Sequence, residues 1–399
     1  MKWTLIVFRK EWRDMIRDKR IRSSMFMGPI FSTVLMFAIL GFVMSSVKSA
    51  QSTTIHIVKG TKDAATQRIL DTFEKAGMKA ATVDSVEAGQ KMVKEGTARL
   101  VVDFGTGLEE AMKNSQAFEI NTYSDGKEQK AQIALGTIEK IVSEVNNGIV
   151  KEVLKSKGVP EAFSKPMSIK RNDVTVGESK TGDFLVQILP YIVIIWAFFG
   201  AMSAAGDIVS GEKEKQTLET LLISPAPRSQ VAFGKLLALI TASVCAVATS
   251  LGSMFVVSSL NIPILKPLME NGIGITPVGF VVVLLTLLPT SALFGSLLLA
   301  ISSFARNTRE AQSYLAQAST FVMLPAAFSQ FIGLTEFGQT RAVYAIPILN
   351  SANVLRNALN GKYDAIGILI TIGIGLLLAG IGVWYSVKMF HRESILNRI

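Results

Sequence analysis

The stretch FLVQILPYIVIIWAFFGAMSAAG, residues Phe184–Gly206, runs for 23 residues without an Asp, Glu, Lys, Arg or His. A helix of about 20 apolar residues crosses the roughly 30 Å hydrocarbon core of a bilayer. Because no water is present there to bond the backbone, a spanning segment must satisfy its N–H and C=O groups internally, as a helix does. This stretch therefore predicts a transmembrane helix.

Five more stretches on either side of it have the same character. They are Met25–Val47, Val231–Leu260, Pro277–Phe304, Gln312–Leu334 and Ile366–Tyr385. The chain is 49% hydrophobic and 18% charged, with a mean hydropathy of +0.39. These features predict a polytopic α-helical membrane protein with six transmembrane helices. A cleaved signal peptide is the alternative for the first stretch, but Lys48 would stand three residues before a cut after Ala50, where a small residue is preferred.

Basic residues in the short flanks predict the orientation, because they concentrate on the cytoplasmic side. They occur in the leader 1–22, in the tail 386–399, and beside the other spans at Lys213, Lys215, Arg228, Lys235, Arg306 and Arg309. All of these places fall on one side of a six-helix chain. We therefore expect a multi-pass protein of the cytoplasmic (inner) membrane with both termini in the cytoplasm.

Residues 48–183, between the first two spans, then form a large extracytoplasmic region. The stretch carries 20 basic and 19 acidic residues, whereas the rest of the chain carries 21 and 12. Short β-like runs (54–58, 81–85, 99–104, 118–123) alternate with helical ones (62–76, 86–95, 107–115, 128–157), which favours an α/β domain with a partly parallel sheet. Residues 166–181 read as a polar strand or linker. The excess positive charge lies beside the apolar spans, which indicates a membrane face rather than nucleic acid.

The leader 1–22 has the pattern of an amphipathic helix. Leu5, Phe8, Trp12 and Met15 recur at helical spacing, while Arg13 lies among the basic residues of other faces. Such a helix lies in the inner membrane interface, with Trp3 and Trp12 at headgroup depth. The alternative is an ordinary charged flank before the first span.

The segment GDIVSGEKEKQTLETLLISPAPRSQVAFGK, Gly206–Lys235, joins the second and third spans. Within it, 212–223 is helical by propensity, Leu218, Leu221 and Leu222 form an apolar knob, and the Ser-Pro-Ala-Pro sequence at 224–227 ends the helix. A short cytosolic helix with a leucine tip suits insertion into a groove on a soluble partner. A solvated connecting helix without a partner is the alternative.

The run GEKEKQTLETLLISPAPRSQVAFGK resembles the coupling segment of type-2 ABC exporter permeases, in particular the NatB-like sodium-export permeases, and EWRD (11–14) and RDKR (17–20) extend the resemblance into the leader. The resemblance implies a permease that pairs with a second copy or a homologue, each docking a NatA-like ATPase subunit, with sodium as cargo. It implies that the leader is an elbow helix, including Trp3, Phe8, Trp12 and Arg13. The residues implied to face the ATPase are Glu212, Lys213, Glu214, Leu218, Glu219, Leu221 and Leu222.

The chain carries no ATP-binding motif of its own. In G-x-x-x-x-G-K-[ST], a glycine precedes the Gly-Lys pair by five residues, but Ser229 occupies that place before Gly234. We expect no catalytic residue, no cofactor and no metal site here. ATP and Mg²⁺ are expected in the partner ATPase.

The region 341–360, between the fifth and sixth spans, is moderately apolar and contains Pro347. It predicts a short re-entrant segment at the external mouth, with an ordinary outer loop as the alternative.

Polar side chains within the spans are the candidates for lining a transport path. They are Gln187, Ser203, Thr249, Ser291, Gln312 and Gln317, with Ser250 and Gln330 as further examples. Such groups more often bridge helices than bind cargo. No ionisable residue lies in the central part of a span, which argues against a carboxylate-lined sodium path. An amphipathic peptide, an antibiotic or a lipid is therefore the alternative cargo. A membrane-anchored receptor that binds ligand through its outer domain is the rival function.

Overall fold

A computed structural model describes residues 2–51, 54–59, 64–75, 77–105, 108, 110, 118–126, 128–159, 183–218, 224–260, 262, 263, 275–332 and 335–391. The chain divides into two compact units. One comprises Met1–Ile39 with Val174–Ile399, and the other comprises Leu40–Asp173.

The first unit is helical. Its helices are α1 (Lys2–Arg17), α2 (Lys19–Arg22), α3 (Gly28–Gln51, which begins in this unit), α7 (Asp183–Ile208), α8 (Ser210–Glu214), α9 (Arg228–Ser259), α10 (Pro277–Phe304), α11 (Thr308–Ile332), α12 (Leu349–Leu359) and α13 (Ala365–His391). Among the described residues, six helices are long and apolar enough to cross a membrane, which confirms the predicted number.

The leader enters the first of these six helices through the short helix α2 and a π-helical turn. Asp18 ends α1 and caps α2, because its side chain accepts hydrogen bonds from Arg20 N (2.7 Å) and Ile21 N (3.2 Å). One π-helical turn, Ser23–Met27, leads directly into α3. The leader is therefore joined to the first long helix without an intervening loop.

Small residues let the long helices approach closely. A Cβ added to Gly200 of α7 would lie 2.3 Å from the Cβ of Ala246 in α9. A Cβ added to Gly382 of α13 would lie 2.6 Å from the Oγ of Ser296 in α10. Glycine at such contacts allows backbone-to-backbone packing, which is a common way to hold helices together in lipid.

The region between α11 and α13 folds back along α10. Two 3₁₀ turns, Glu336–Gln339 and Arg341–Ala345, precede α12. The Oγ atoms of Ser351 and Thr290 are 2.9 Å apart, near the middle of α10, while a Cβ on Gly279, near the start of α10, would lie 3.0 Å from Ala358 O. Helix α12 thus runs antiparallel to the first half of α10.

The second unit contains a four-stranded mixed sheet. Its strands are β1 (Thr54–Val58), β2 (Lys79–Val83), β3 (Leu100–Asp103) and β4 (Asn121–Ser124), in the order β2-β1-β3-β4. Strand β1 is parallel to β2 and β3, and β4 is antiparallel to β3. The helices are α4 (Ala64–Lys75), α5 (Val86–Lys94) and α6 (Gln129–Ser156).

The α/β pattern predicted from the sequence is present in this unit. Ile55 and Leu100 on the two central strands pack with Phe73 of α4 and Ile138 of α6 in one buried apolar cluster. Most of the predicted helix 107–115 and the predicted linker 166–181 lie outside the described residues.

Candidate functional site

The site begins with the contact between the leader helix α1 and helix α9. A Cβ added to Gly234 of α9 would lie 2.7 Å from Val7 Cβ and 2.8 Å from Thr4 O. The absence of a side chain at Gly234 therefore allows α1 to lie directly on α9. This contact brings Glu11, one turn after Val7, beside Lys235.

Lys235 lies inside α9 and is completely buried. Its Nζ donates to Glu11 Oε1 (2.8 Å), to Glu212 Oε2 (2.7 Å) and to Ile208 O (2.6 Å). An ammonium group has three N–H donors, and here three acceptors from α1, α7 and α8 surround it. Full satisfaction by charged and polar partners is what allows a lysine to be buried in an apolar helix.

Lys10 completes the group from the solvent side. Its Nζ lies 3.0 Å from Glu11 Oε1 and also donates to Glu212 Oε1. Burial by itself would lower the pKa of Lys10, but the charges of Glu11 and Glu212 and their hydrogen bonds outweigh it, so the pKa is raised above its usual range. We call Lys10, Glu11, Glu212 and Lys235 the charge cluster, and its formal charges balance.

Helix α8 is also tied to the end of α10 and, through the Glu214 carboxylate and Thr308 N, to the start of α11. Lys213 Nζ donates to Ala305 O (2.9 Å) and to Ser303 O. The Oγ of Ser302 accepts from Val209 N and Ser210 N, both at 3.2 Å. A displacement of α8 would therefore act on α1, α9, α10 and α11 together.

The predicted continuous helix 212–223 is wrong as a single element. Helix α8 ends at Glu214, and Gln216 has φ 58°. Two buried contacts explain this break in the helix. Glu212 is held at Lys235, and Leu218, which is only 2% exposed, packs into the main apolar cluster. In a straight helix these two side chains, six residues apart, would point about 120° apart around the axis, so both could not face the protein.

The predicted ATPase-facing residues fall into four groups. Glu212 and Lys213 contact the chain itself, Leu218 is buried, and Glu214 is exposed with its carboxylate accepting from Thr308 N at 3.2 Å. The remaining three, Glu219, Leu221 and Leu222, lie outside the described residues.

A cavity of about 660 Å³ lies beside the charge cluster, between the leader helices and the end of α7 with α8. Carboxylates predominate among its charged lining groups: Glu11, Asp14, Asp18, Asp207 and Glu212 face Lys10, Arg17 and Lys215. Because the charge cluster is balanced, the other lining groups leave an excess of one carboxylate next to the segment predicted to couple to a partner.

The leader residues face the protein more than the sequence pattern predicts. Phe8 and Trp12 pack against the main apolar cluster, and Trp3 packs against Val7, Ala226 and Val231. Arg13 is exposed. The apolar stripe is therefore largely occupied by contacts within the chain.

The structure does not bring the candidate path residues into one hydrogen-bonded group among the described residues. Gln187 Nε2 donates to Gln330 O at 2.9 Å, and Thr249 Oγ1 donates to Cys245 O of its own helix at 2.8 Å. Gln317 is exposed.

The other three candidates have different surroundings. The Gln312 amide lies beside the Arg20 guanidinium, with distances of 2.7 and 3.1 Å when its oxygen faces the arginine. The hydroxyls of Ser203 and Ser291 are buried and have no hydrogen-bond partner among the described residues.

Sequence reasoning missed Glu11 and treated Lys235 only as a flanking basic residue. One signal was available: Val7, Glu11 and Met15 follow each other at four-residue spacing, so the carboxylate interrupts an apolar face. When two packed helices bury an ion pair between them, each helix carries one charged residue on an otherwise apolar face.

Comparison with known proteins gives two matches. The family model described as "ABC-2 family transporter protein" matches residues 20–387. The chain is also similar to the ABC transporter permease protein NatB of Bacillus subtilis (strain 168), with 24% identity over 375 residues that cover 94% of each chain.

Proposed function

The chain belongs to the ABC-2 family of transporter proteins, and we propose that it is the permease of an exporter, moving its cargo out of the cell by alternating access. A permease of this kind implies an ATPase partner, which we propose to be a separate NatA-like subunit. The functional unit would contain two permease chains, either two copies or one copy with a homologue.

The charge cluster is the observation that carries this proposal. A buried Lys235 joins the leader helix, the segment around α8 and helix α9 through contacts of 2.6–2.8 Å. Such a junction moves as one body, because separating its members would leave charges buried without partners. Nucleotide-driven displacement of α8 would thereby shift the equilibrium between inward-open and outward-open arrangements of the long helices.

The proposed topology places α8 and both termini in the cytoplasm and the α/β unit outside. The basic flanks of the spans support it. In this orientation the cavity beside the charge cluster lies on the cytoplasmic side. Glu214, Glu219, Leu221 and Leu222 are the proposed docking residues, together with the exposed Lys215.

Sodium is the cargo implied by the family resemblance noted from the sequence, and an amphipathic peptide, antibiotic or lipid is the alternative. The two kinds of cargo require different groups along the transport path. Sodium requires converging oxygen ligands, whereas an amphiphile requires an apolar surface with a few polar anchors.

Gentle purification of the chain from native membranes tests the partner. We expect a polypeptide with nucleotide-binding and ABC signature motifs to elute with it. Reconstitution of that complex in liposomes then gives ATP-dependent transport, measured with radioactive sodium and with fluorescent amphiphiles. A purified native assembly that hydrolyses no ATP would contradict the proposal.

Glu11→Gln tests the role of the charge cluster in coupling. Because Glu11 lies on the leader rather than in the docking segment, this change should leave the amount of bound ATPase unchanged while lowering the cargo moved per ATP hydrolysed several-fold. Arg9→Gln is the control, since Arg9 is an exposed charged residue on the same helix that belongs to neither the cavity lining nor the charge cluster. Equal transport per ATP in the two variants would rule out the coupling role.

A further inference from the structure

The C-terminus of helix α11 is completed by side chains that lie outside it. The last carbonyl groups of a helix lack partners within it. Here Ser329 O accepts from Arg356 Nη2 of α12, Gln330 O accepts from Gln187 Nε2, and Ile332 O accepts from Thr335 Oγ1 at 2.9 Å. Arg356 therefore has one clear structural contact.

That contact uses only part of the Arg356 side chain. The residue is 6% exposed, and its Nε and Nη1 atoms are buried without a hydrogen-bond partner among the described residues. These two atoms carry three of the five guanidinium N–H donors. No ion pair joins Arg356 to a carboxylate in the described part of the chain. A buried guanidinium with unused donors is costly and signals a missing acceptor.

The position of Arg356 within the fold strengthens the inference that an acceptor is missing. Arg356 lies between Ser351, which contacts Thr290 near the middle of α10, and Ala358, which lies beside Gly279 near its start. It is thus alongside a predicted membrane span and not at a free surface. Ionisable side chains at such positions usually mark a ligand or ion path.

Buried apolar residues lie near Arg356 on both helices, together with the buried Asn353 one turn before it. Val354, Leu355 and Ala358 of α12 and Ala326 and Ile332 of α11 belong to the same buried cluster. A ligand placed here would meet donors for a negative group and hydrocarbon surface around them. A bare cation would be repelled by the guanidinium.

We propose that Arg356 binds the anionic oxygen group, carboxylate or phosphate, of an amphiphilic molecule at the contact between α11 and α12. This inference rests on the proposed function where it assigns that molecule as cargo. It selects an anionic amphiphile over sodium as the occupant of this site. In the proposed topology the site lies in the outer half of the membrane.

The test measures binding to the full chain in an uncharged maltoside detergent. Dodecyl phosphate is the anionic probe and dodecyltrimethylammonium the cationic one, and the readout is the concentration dependence of the melting temperature. We expect saturable stabilisation by dodecyl phosphate alone. A hydrogen-bonded charge contact is worth about 1.5–3 kcal/mol, so Arg356→Gln should weaken this binding about tenfold or more.

Two variants separate binding from structure. Arg341→Gln removes an exposed arginine from the neighbouring 3₁₀ turn and should bind like the unaltered chain. Arg356→Lys keeps the charge but not the fork of donors and should fall between them. Equal binding by Arg356→Gln and Arg341→Gln, or no saturable effect of dodecyl phosphate on the unaltered chain, would overturn the inference.

Two sources of the anionic group are distinguished by native mass spectrometry from nanodiscs of phosphatidylcholine with phosphatidylglycerol. Retention of phosphatidylglycerol that depends on Arg356 identifies a lipid headgroup. Dodecyl phosphate binding without such retention identifies a non-lipid amphiphile, and both results support the site. ATPase co-purification is measured on the same preparations, so loss of the partner would count against the proposed function and not against the anion site.

Discussion

At Lys235, a charge is accommodated inside an apolar helix because every N–H of the ammonium group has an oxygen acceptor. The acceptors come from Glu11, Glu212 and the carbonyl of Ile208, so the stability of this residue depends on three other helices. The attraction within a buried ion pair adds little net stability to the fold. Removing one member is nevertheless costly, because the other charge is then buried without a partner.

Lys235→Met should therefore destabilise the chain strongly. Among the described residues it leaves Glu11 and Glu212 with Lys10 alone as a cationic partner, and loss of one member of a buried pair costs about 3–5 kcal/mol. Thermal unfolding of the purified chain in detergent measures the effect. The control is Lys215→Met, at an exposed lysine three residues after Glu212. Equal melting temperatures for the two variants would show that the charge cluster does not stabilise the fold.

At the scale of elements, the close contact between α1 and α9 positions the charge cluster. Gly234 allows this contact, because any Cβ there would meet Val7 and Thr4 below 3 Å. The same helix contains Gly252, where a Cβ would meet nothing within 4 Å. Helix α9 therefore contains one glycine with no room for a side chain and one with open space beside it.

Gly234→Val should push α1 away from α9. Forcing a side chain into a filled contact costs about 1–3 kcal/mol, and separation of the helices would also weaken the Glu11–Lys235 pair. A lower melting temperature and reduced transport per ATP are expected. Gly252→Val introduces the same residue in open space and should change neither quantity; a matching loss in both variants would argue that valine itself is responsible.

At the scale of the whole molecule, the proposed function requires α8 and the α/β unit to lie on opposite sides of the membrane. Lys215 follows α8 and is exposed, and Lys91 is exposed on α5 of the α/β unit. The chain contains one cysteine, Cys245, so a background without reactive thiols needs a single substitution.

In a Cys245→Ala background, a membrane-impermeant maleimide should label Lys91→Cys in intact cells. It should label Lys215→Cys only after the membrane is opened, because the reagent cannot cross the hydrocarbon core. Labelling is measured as the mass added to the purified chain. Reaction of Lys215→Cys in intact cells would invert the topology and remove α8 from reach of a cytoplasmic ATPase.

The sequence alone determined the six long apolar helices and the alternation of strands and helices in the second unit. Both are local properties. The length of an apolar run decides whether a helix can cross a bilayer, and residue periodicity distinguishes a strand from a helix. Pro277–Phe304 has the same bounds in the prediction and in the structure because Thr276 caps its start and Pro277 fits its first turn.

Only the tertiary structure decided which residues form the site. Glu11 and Lys235 are 224 positions apart, and Arg356 meets α11 27 positions away. No local pattern specifies which distant helix will cover a charged side chain or leave it without a partner. The break at Gln216 has the same origin. Local propensity favours a continuous helix, but burial of both Glu212 and Leu218 against the protein requires the backbone to turn, since packing outweighs propensity.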